Sequence, residues 1–416
     1  MVLCAALLAC SSKSQGPAAA GDSAIPVAMP DAEPRADAMG TPADLTGPSD
    51  TTGGLADREG RDDVRGDVGD SAAQATDLAT VLVSCPASAA GDTPLGSDTP
   101  PARWKITDAI TFLSVGGTGS YDRVVDMAPG AWPPPCSDAN ACAKASKTVS
   151  GPLVPFDEEM TMVFSGPIEL YDIAVYAPSS TGFSRISYWN RCLSDNLVFM
   201  NNLGGGSVSG VWTVCGGNSQ SYASADGSQA APAPTQFAGT LADGIGVNVM
   251  SASPCQGTGD SSECGFYRDV GLHGFRGSAD GTKIFAVKMR MPVGSVTPAY
   301  WVLPAQVLRT AQYGCNCRGM GGGGGCGELD VAEVLSSDDA MAATSTIYSW
   351  KSVRNGNGST FQRPALASAT FFVIFDGAGG TISLRRLEAN TFDFGPTIAS
   401  TVVAGWQANR GATSEM

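Results

Sequence analysis

The chain has 416 residues and a net charge of -15, enough length for two or three domains of about 100–150 residues. A phosphate-binding surface needs clustered Lys and Arg, and no such run occurs, which excludes nucleic acid as a partner. The single histidine, His273, excludes three-histidine zinc sites and HExxH proteases, and no nucleophile elbow accompanies it for a Ser-His-Asp triad. The chemistry is left to carboxylates, thiols and hydroxyls.

Residues 1–10 are apolar and end in Leu7-Leu8-Ala9-Cys10, the form of a bacterial lipoprotein cleavage box, so Cys10 is the candidate lipidation site. No Lys or Arg precedes the box, and the true start is expected upstream. Twelve cysteines agree with an oxidising, extracytoplasmic compartment. Residues 11–103 are rich in Ala, Asp, Gly, Pro, Ser and Thr and contain no aromatic residue. Such a segment buries too little apolar area to offset its ordering entropy and reads as a disordered linker. No later segment has the ~18 apolar residues that a membrane span requires.

Strand composition begins past Trp104, at Ala109–Val115, Met160–Phe164 and Ile168–Tyr176, with glycines and Pro133-Pro134-Pro135 at the turns. Residues 104–178 read as a small β module, with Cys136 and Cys142 placed to close a local loop. Residues 183–416 read as a second, larger β domain. Its expected strands are Lys283–Met291, Ala299–Leu303, Leu329–Leu335, Thr370–Phe375 and Thr381–Arg385. On the first of these, Phe285, Val287 and Met289 share one face and Ile284 and Ala286 the other, so alternation does not choose a buried side. Many short strands and almost no 3.6-residue period predict an all-β fold, a concanavalin-like β-sandwich or jelly roll.

The acidic run Glu328-Leu329-Asp330-Val331-Ala332-Glu333 carries the chemistry. Glu328 and Asp330 share a strand face, whereas Glu333, five residues past Glu328, would point away unless a β-bulge restores it. Paired carboxyls suit glycoside cleavage, because neighbouring carboxyls titrate apart into a base and an acid. By spacing alone, a solvated acidic edge strand fits equally well.

The run resembles the ExDxxE signature of the family-16, laminarinase-like glycoside hydrolases, and Pro298-Ala299-Tyr300-Trp301 resembles their strand with a sugar-stacking tryptophan. A longer resemblance is to the glycosyl hydrolases of the fungal target-of-SBF cell-wall protein family. It rests on Asn201-Asn202-Leu203-Gly204, Gly210-Val211-Trp212, Asn218–Gly227, Cys264-Gly265-Phe266-Tyr267-Arg268, Arg309–Gly314 and Cys326–Asp330. In the N-terminal module it rests on Gly119–Val124, Ser150–Pro155 and Phe164–Ile168.

The resemblance implies a retaining, endo-acting β-1,3-glucan hydrolase with Glu328 as nucleophile, Asp330 as its assisting carboxylate and Glu333 as acid/base. Trp301 is the expected sugar platform, and Arg309, Gln312 and Tyr313 are candidate contacts to sugar hydroxyls. Tyr348 stands in Thr346-Ile347-Tyr348, where a Thr-x-His is expected. Tyrosine donates a hydrogen bond but is no cation near neutral pH.

Other features yield less. Gly321–Gly325 lacks the GxxxxGK[ST] of a phosphate loop and reads as a surface loop. Cys315, Cys317 and Cys326 make an incomplete zinc set, and disulfides fit better, as they do for Cys192 with Cys215 and Cys255 with Cys264. Trp212 and Trp350 read as core residues or stay open. No metal or cofactor is expected. The expected partner is a β-glucan polysaccharide, met by a monomer that touches the membrane only through Cys10. A β-glucan transglycosylase shares the covalent intermediate, and a non-catalytic glucan-binding or structural surface lipoprotein is the alternative from another class.

Overall fold

The computed structural model describes residues 105–127, 142–201, 203, 221–256, 271–305, 325–335, 340–351, 353–388 and 391–416. The expected linker 11–103 and Cys10 lie outside the described residues.

The strands in chain order begin with β1 (Lys105–Ile106), β2 (Ala109–Leu113), β3 (Gly117–Met127), β4 (Cys142–Gly151) and β5 (Met160–Ser165). Next come β6 (Ile168–Ser179), β7 (Gly182–Asn190), β8 (Leu193–Asp195), β9 (Val198–Asn201), β10 (Ser221–Ala223) and β11 (Ala230–Ala231). Then follow β12 (Thr240–Leu241), β13 (Gly246–Met250), β14 (Lys283–Arg290), β15 (Ala299–Pro304), β16 (Glu328–Glu333) and β17 (Ala342–Tyr348). The last are β18 (Val353–Gln362), β19 (Ala369–Asp376), β20 (Thr381–Glu388), β21 (Thr397–Ala399) and β22 (Ala412–Glu415), with helix α1 (Ser400–Ala408) between the final two.

Two large sheets result. The first runs β1-β18-β17-β16-β15-β5-β13-β9-β10-β11, and the second runs β21-β7-β6-β14-β19-β20-β2-β22, with β12 on β6 and β8 on β7. Strands β3 and β4 form a separate hairpin. The fold is an all-β sandwich, as the strand-rich sequence predicts.

The main core unites Phe164, Tyr300, Val302 and Leu329 of the first sheet with Phe285, Val287, Phe371 and Val373 of the second. A second apolar layer lies on the other face of the second sheet, where Ile284, Ala286, Phe372 and Ile374 meet Phe394, Ile398 and Val403 of the C-terminal segment. Strand β14 is therefore buried on both faces, which is why its sequence shows no simple alternation.

A boundary was expected at 179–182. It falls in the hairpin between β6 and β7, while β5 sits between β15 and β13 and β6 sits between β7 and β14. Of the strands before it, β5 is interior to the first sheet and β6 to the second. Local composition finds strands, whereas partners are chosen by long-range pairing that composition does not encode.

Lys283 ties the end of β14 to its surroundings. Its ammonium is fully buried and donates to the carbonyls of Phe156 (2.9 Å), Glu158 (3.1 Å), Arg276 (3.2 Å) and Gly281 (3.1 Å), above the ring of Phe375. Cys192, Cys255 and Cys326 are disulfide-bonded. Cys136, Cys215, Cys264, Cys315 and Cys317, with which pairings were expected, lie outside the described residues.

Candidate active site

Gly327, at φ +94°, leads into β16, and a Cβ on it would stand 3.0 Å from Pro155 Cγ and 3.1 Å from the Phe156 ring. Glycine is what lets the strand enter this close to the 151–159 segment. From there the strand alternates: Leu329 and Val331 join the core between the sheets, and Glu328 and Asp330 take the opposite face.

The alternation then breaks, because Val331 and Ala332 are both core residues. Toward β15, Trp301 pairs with Asp330 and Tyr300 with Ala332, so Val331 has no opposite number. Toward β17, Asp330 pairs with Thr346 and Glu333 with Thr344, so Val331 and Ala332 together face Ser345. The expected bulge between Asp330 and Glu333 is therefore present, and it turns Glu333 back to the face of Glu328 and Asp330. The Ser345 hydroxyl donates to the Val331 carbonyl at 2.6 Å and so serves the ladder position that the bulge opens.

Glu328 and Asp330 are buried, at 2% and 5% exposure, and Glu333 is partly exposed. Beneath them on the core face, Tyr300 stacks on Phe164 with ring centroids 4.8 Å apart, and burial pushes its phenol far above the usual range. Tyr300 stays neutral and supplies apolar floor rather than charge.

One row of cross-strand neighbours crosses the outer face of the first sheet: Asn355, Thr346, Asp330, Trp301, Val163 and Asn248. Trp301 clusters there with Val163 and Leu303, apart from the main core. Tyr348 is the cross-strand partner of Glu328. Along β17 and the turn after it, Thr344, Thr346, Tyr348 and Trp350 stay partly exposed while Ala343, Ser345, Ile347 and Ser349 are buried. The row closes toward β9, where Leu272 and Ala305 pack on Val198, Met200 and Met250. The partly exposed residues of this face are therefore Glu333 and the series Thr344, Thr346, Tyr348 and Trp350, while Trp301 is buried at 6% exposure.

Of the sequence candidates, Glu328, Asp330, Glu333, Trp301 and Tyr348 share this face, whereas Arg309, Gln312, Tyr313 and Trp212 lie outside the described residues. Sequence reasoning missed Thr344, Asn248 and Asn355, which only strand register reveals. His273 is held by Glu159, whose Oε1 lies 2.9 Å from His273 Nδ1 and whose Oε2 accepts the Gly274 N–H at 2.9 Å. Asn201, from one of the resemblance blocks, donates to the carbonyls of Gly227 (3.2 Å) and Gln229 (2.7 Å) and accepts from Ser221 (2.8 Å). It shapes a loop. Among the described residues no group of His, Cys, Asp and Glu is arranged to hold a metal ion.

A family profile described as cell wall protein YJL171C/Tos1, C-terminal, matches residues 181–406, and the N-terminal profile of the same family matches residues 108–178. A Candida albicans protein named "Probable circularly permuted 1,3-beta-glucanase TOS1" is 36% identical over 253 residues, covering 56% of this chain and 51% of that protein. Its Saccharomyces cerevisiae namesake is 33% identical over 245 residues, with the same coverage of 56% and 51%. The C. albicans protein named "Probable circularly permuted 1,3-beta-glucanase PGA52" is 29% identical over 334 residues, covering 73% of this chain and 83% of the relative. The chain spans about half the length of the first two relatives. No solved structure matches it. The two profiles meet at the β6–β7 hairpin and describe strands that interleave in one sandwich. With one profile covering more than half of its residues and the companion profile directly before it, this chain belongs to the YJL171C/Tos1 cell wall protein family.

Proposed function

We propose that the chain is an endo-acting, retaining hydrolase of β-1,3-glucan that works outside the cytoplasm, held to the cell envelope by lipid on Cys10. The observation that carries the reading is the bulge of β16, which returns Glu333 to the face of Glu328 and Asp330 beside Trp301. Retention requires two carboxyls about 5–5.5 Å apart, one ionised to attack the anomeric carbon and one protonated to release the leaving group. Glu328, buried and with Tyr348 across the strand, is assigned the nucleophile. Glu333, partly exposed, is assigned the acid/base, where water and leaving group exchange. Asp330, on the same face between them, is assigned to assist Glu328. Trp301 is assigned the sugar platform, and Arg309, Gln312 and Tyr313 the hydroxyl contacts.

The relatives' names support both the glucan and the topology. In this chain β1 pairs with β18, and β2 pairs with β20 and β22, so the two ends of the fold adjoin, as a circular permutation requires.

The test is incubation of the soluble chain, without residues 1–100, with laminarin, lichenan and xylan. Release of reducing ends from laminarin, abolished in Glu328→Gln and Glu333→Gln, is the expected result. Binding without release by the wild type would replace the enzyme by a glucan-binding protein. Cys10→Ser tests the anchor: the variant should leave the membrane fraction, and retention there would remove the lipid assignment.

A further inference from the structure

The β3–β4 hairpin is the part of the fold that neither sheet absorbs, and its base meets the candidate cleft at Trp350. A Cβ on Gly119 would stand 2.3 Å from Trp350 Cζ3, 2.8 Å from Cη2 and 3.0 Å from Cε3, and one on Gly117 would stand 3.6 Å from Cη2 and Cζ2. Two glycines one residue apart on β3 thus leave a bare strip against the benzo ring of the indole. Glycine inside a strand weakens it, and its presence marks a close approach that a side chain would block. The indole is fixed a second time by Nε1, which donates to the Val154 carbonyl at 3.4 Å. A third contact is at the backbone, where Gly325, two residues before Gly327, packs on the Trp350 amide.

Position gives this ring its meaning. Trp350 continues the partly exposed series Thr344, Thr346, Tyr348 and stands two residues past the cross-strand partner of Glu328. It lies in the turn that follows β17, at the Glu328 end of that strand. The ring keeps part of its surface exposed although β3 covers it and its nitrogen is bonded.

We propose that Trp350 is a second sugar-stacking platform, at the Glu328 end of the cleft, with the β3–β4 hairpin as its backing. Its ligand is the apolar C–H face of a pyranose in a β-linked glucan, on the Glu328 side of the sugar that reacts. The assignment rests on the glucanase reading above. A ring held at its benzo side and at Nε1 by the scaffold loses little freedom when it binds, which is what a platform needs.

The test uses Glu328→Gln as parent, so that binding is measured without turnover, with laminarin oligosaccharides titrated by calorimetry and folding checked by near-ultraviolet circular dichroism. Trp350→Leu in that parent should bind about tenfold more weakly, the loss of roughly one aromatic contact. Gly119→Val, which drives a side chain into the indole, should weaken binding in the same direction. If Trp350→Leu is folded and binds as tightly as the parent, the platform is overturned and the glucanase reading stands. If the parent binds no glucan while wild type hydrolyses none, both readings fall. Should Trp350→Leu not fold, Trp350→Phe decides: intermediate affinity supports the platform, and unchanged affinity overturns it.

Discussion

The bulge in β16 depends on one hydroxyl, and Ser345→Ala isolates it. Ser345 is fully buried and its Oγ donates to the Val331 carbonyl at 2.6 Å. Alanine removes one hydrogen bond, worth about 1 kcal/mol net, and leaves a buried carbonyl without its donor, which raises the cost to about 1–3 kcal/mol. The cavity left by one oxygen is too small to add much. In a chain of this size that loss lowers the melting temperature by about 1–2 °C per kcal/mol. Catalysis should suffer more than stability, because relaxation of the bulge moves Glu333, and a displacement of about 1 Å can cost a hundredfold in rate. Thermal denaturation and laminarin kinetics measure the two effects. Ser383→Ala is the control, being equally buried on the second sheet, with its Oγ 3.4 Å from Thr111 Oγ1. It should lower the melting temperature slightly and leave kcat/KM unchanged. Equal kcat/KM in wild type and Ser345→Ala would refute the view that this hydroxyl holds the bulge.

Lys283→Met should destabilise the fold by about 3–5 kcal/mol, since it leaves four carbonyls without the buried amine that donates to them, and chemical denaturation should show a lower midpoint at unchanged slope. A variant as stable as wild type would mean that the carbonyls find other partners. For Glu169, burial raises the carboxyl's pKa, but hydrogen bonds from Arg290 and Tyr171, with the charges of Arg290 and Arg191, outweigh it and leave the value below 4.5. A carboxyl depressed in the folded state stabilises above its unfolded pKa and loses that contribution as pH falls through the folded one. Glu169→Gln should thus be less stable than wild type at neutral pH, with the gap closing below about pH 4.5, as melting curves across pH would reveal. A fragment beginning at Thr181 should not fold, because β5 and β6 are interior strands; a cooperative melt from that fragment would contradict the interleaving.

Strands were legible where both faces are apolar and the run is long, as in β14 and β19, since nothing else suits such residues. The bulge was legible because a period of two cannot place residues five apart on one face. The placement of β5 and β6 was not legible, because Met160–Phe164 looks the same whether it pairs with a neighbour or with strands far along the chain. The role of Gly119 was equally hidden: beside Ser120 and Tyr121 it reads as part of a turn, and only the indole lying on it explains it. His273 is the reverse case, where a residue type rich in chemistry turns out to be paired with Glu159 to hold two segments together.

The pairing of β2 with β22 sets the order in which the molecule can be completed. Ile110 lies beside Ala412 and Phe112 beside Ser414, so β2 waits for a partner far along the chain. Strand β5 waits likewise for β13 and β15, and β6 for β7 and β14. Contacts so distant in sequence slow folding and leave unpaired edges open meanwhile. Until those distant partners arrive, the early strands keep edges that can pair wrongly.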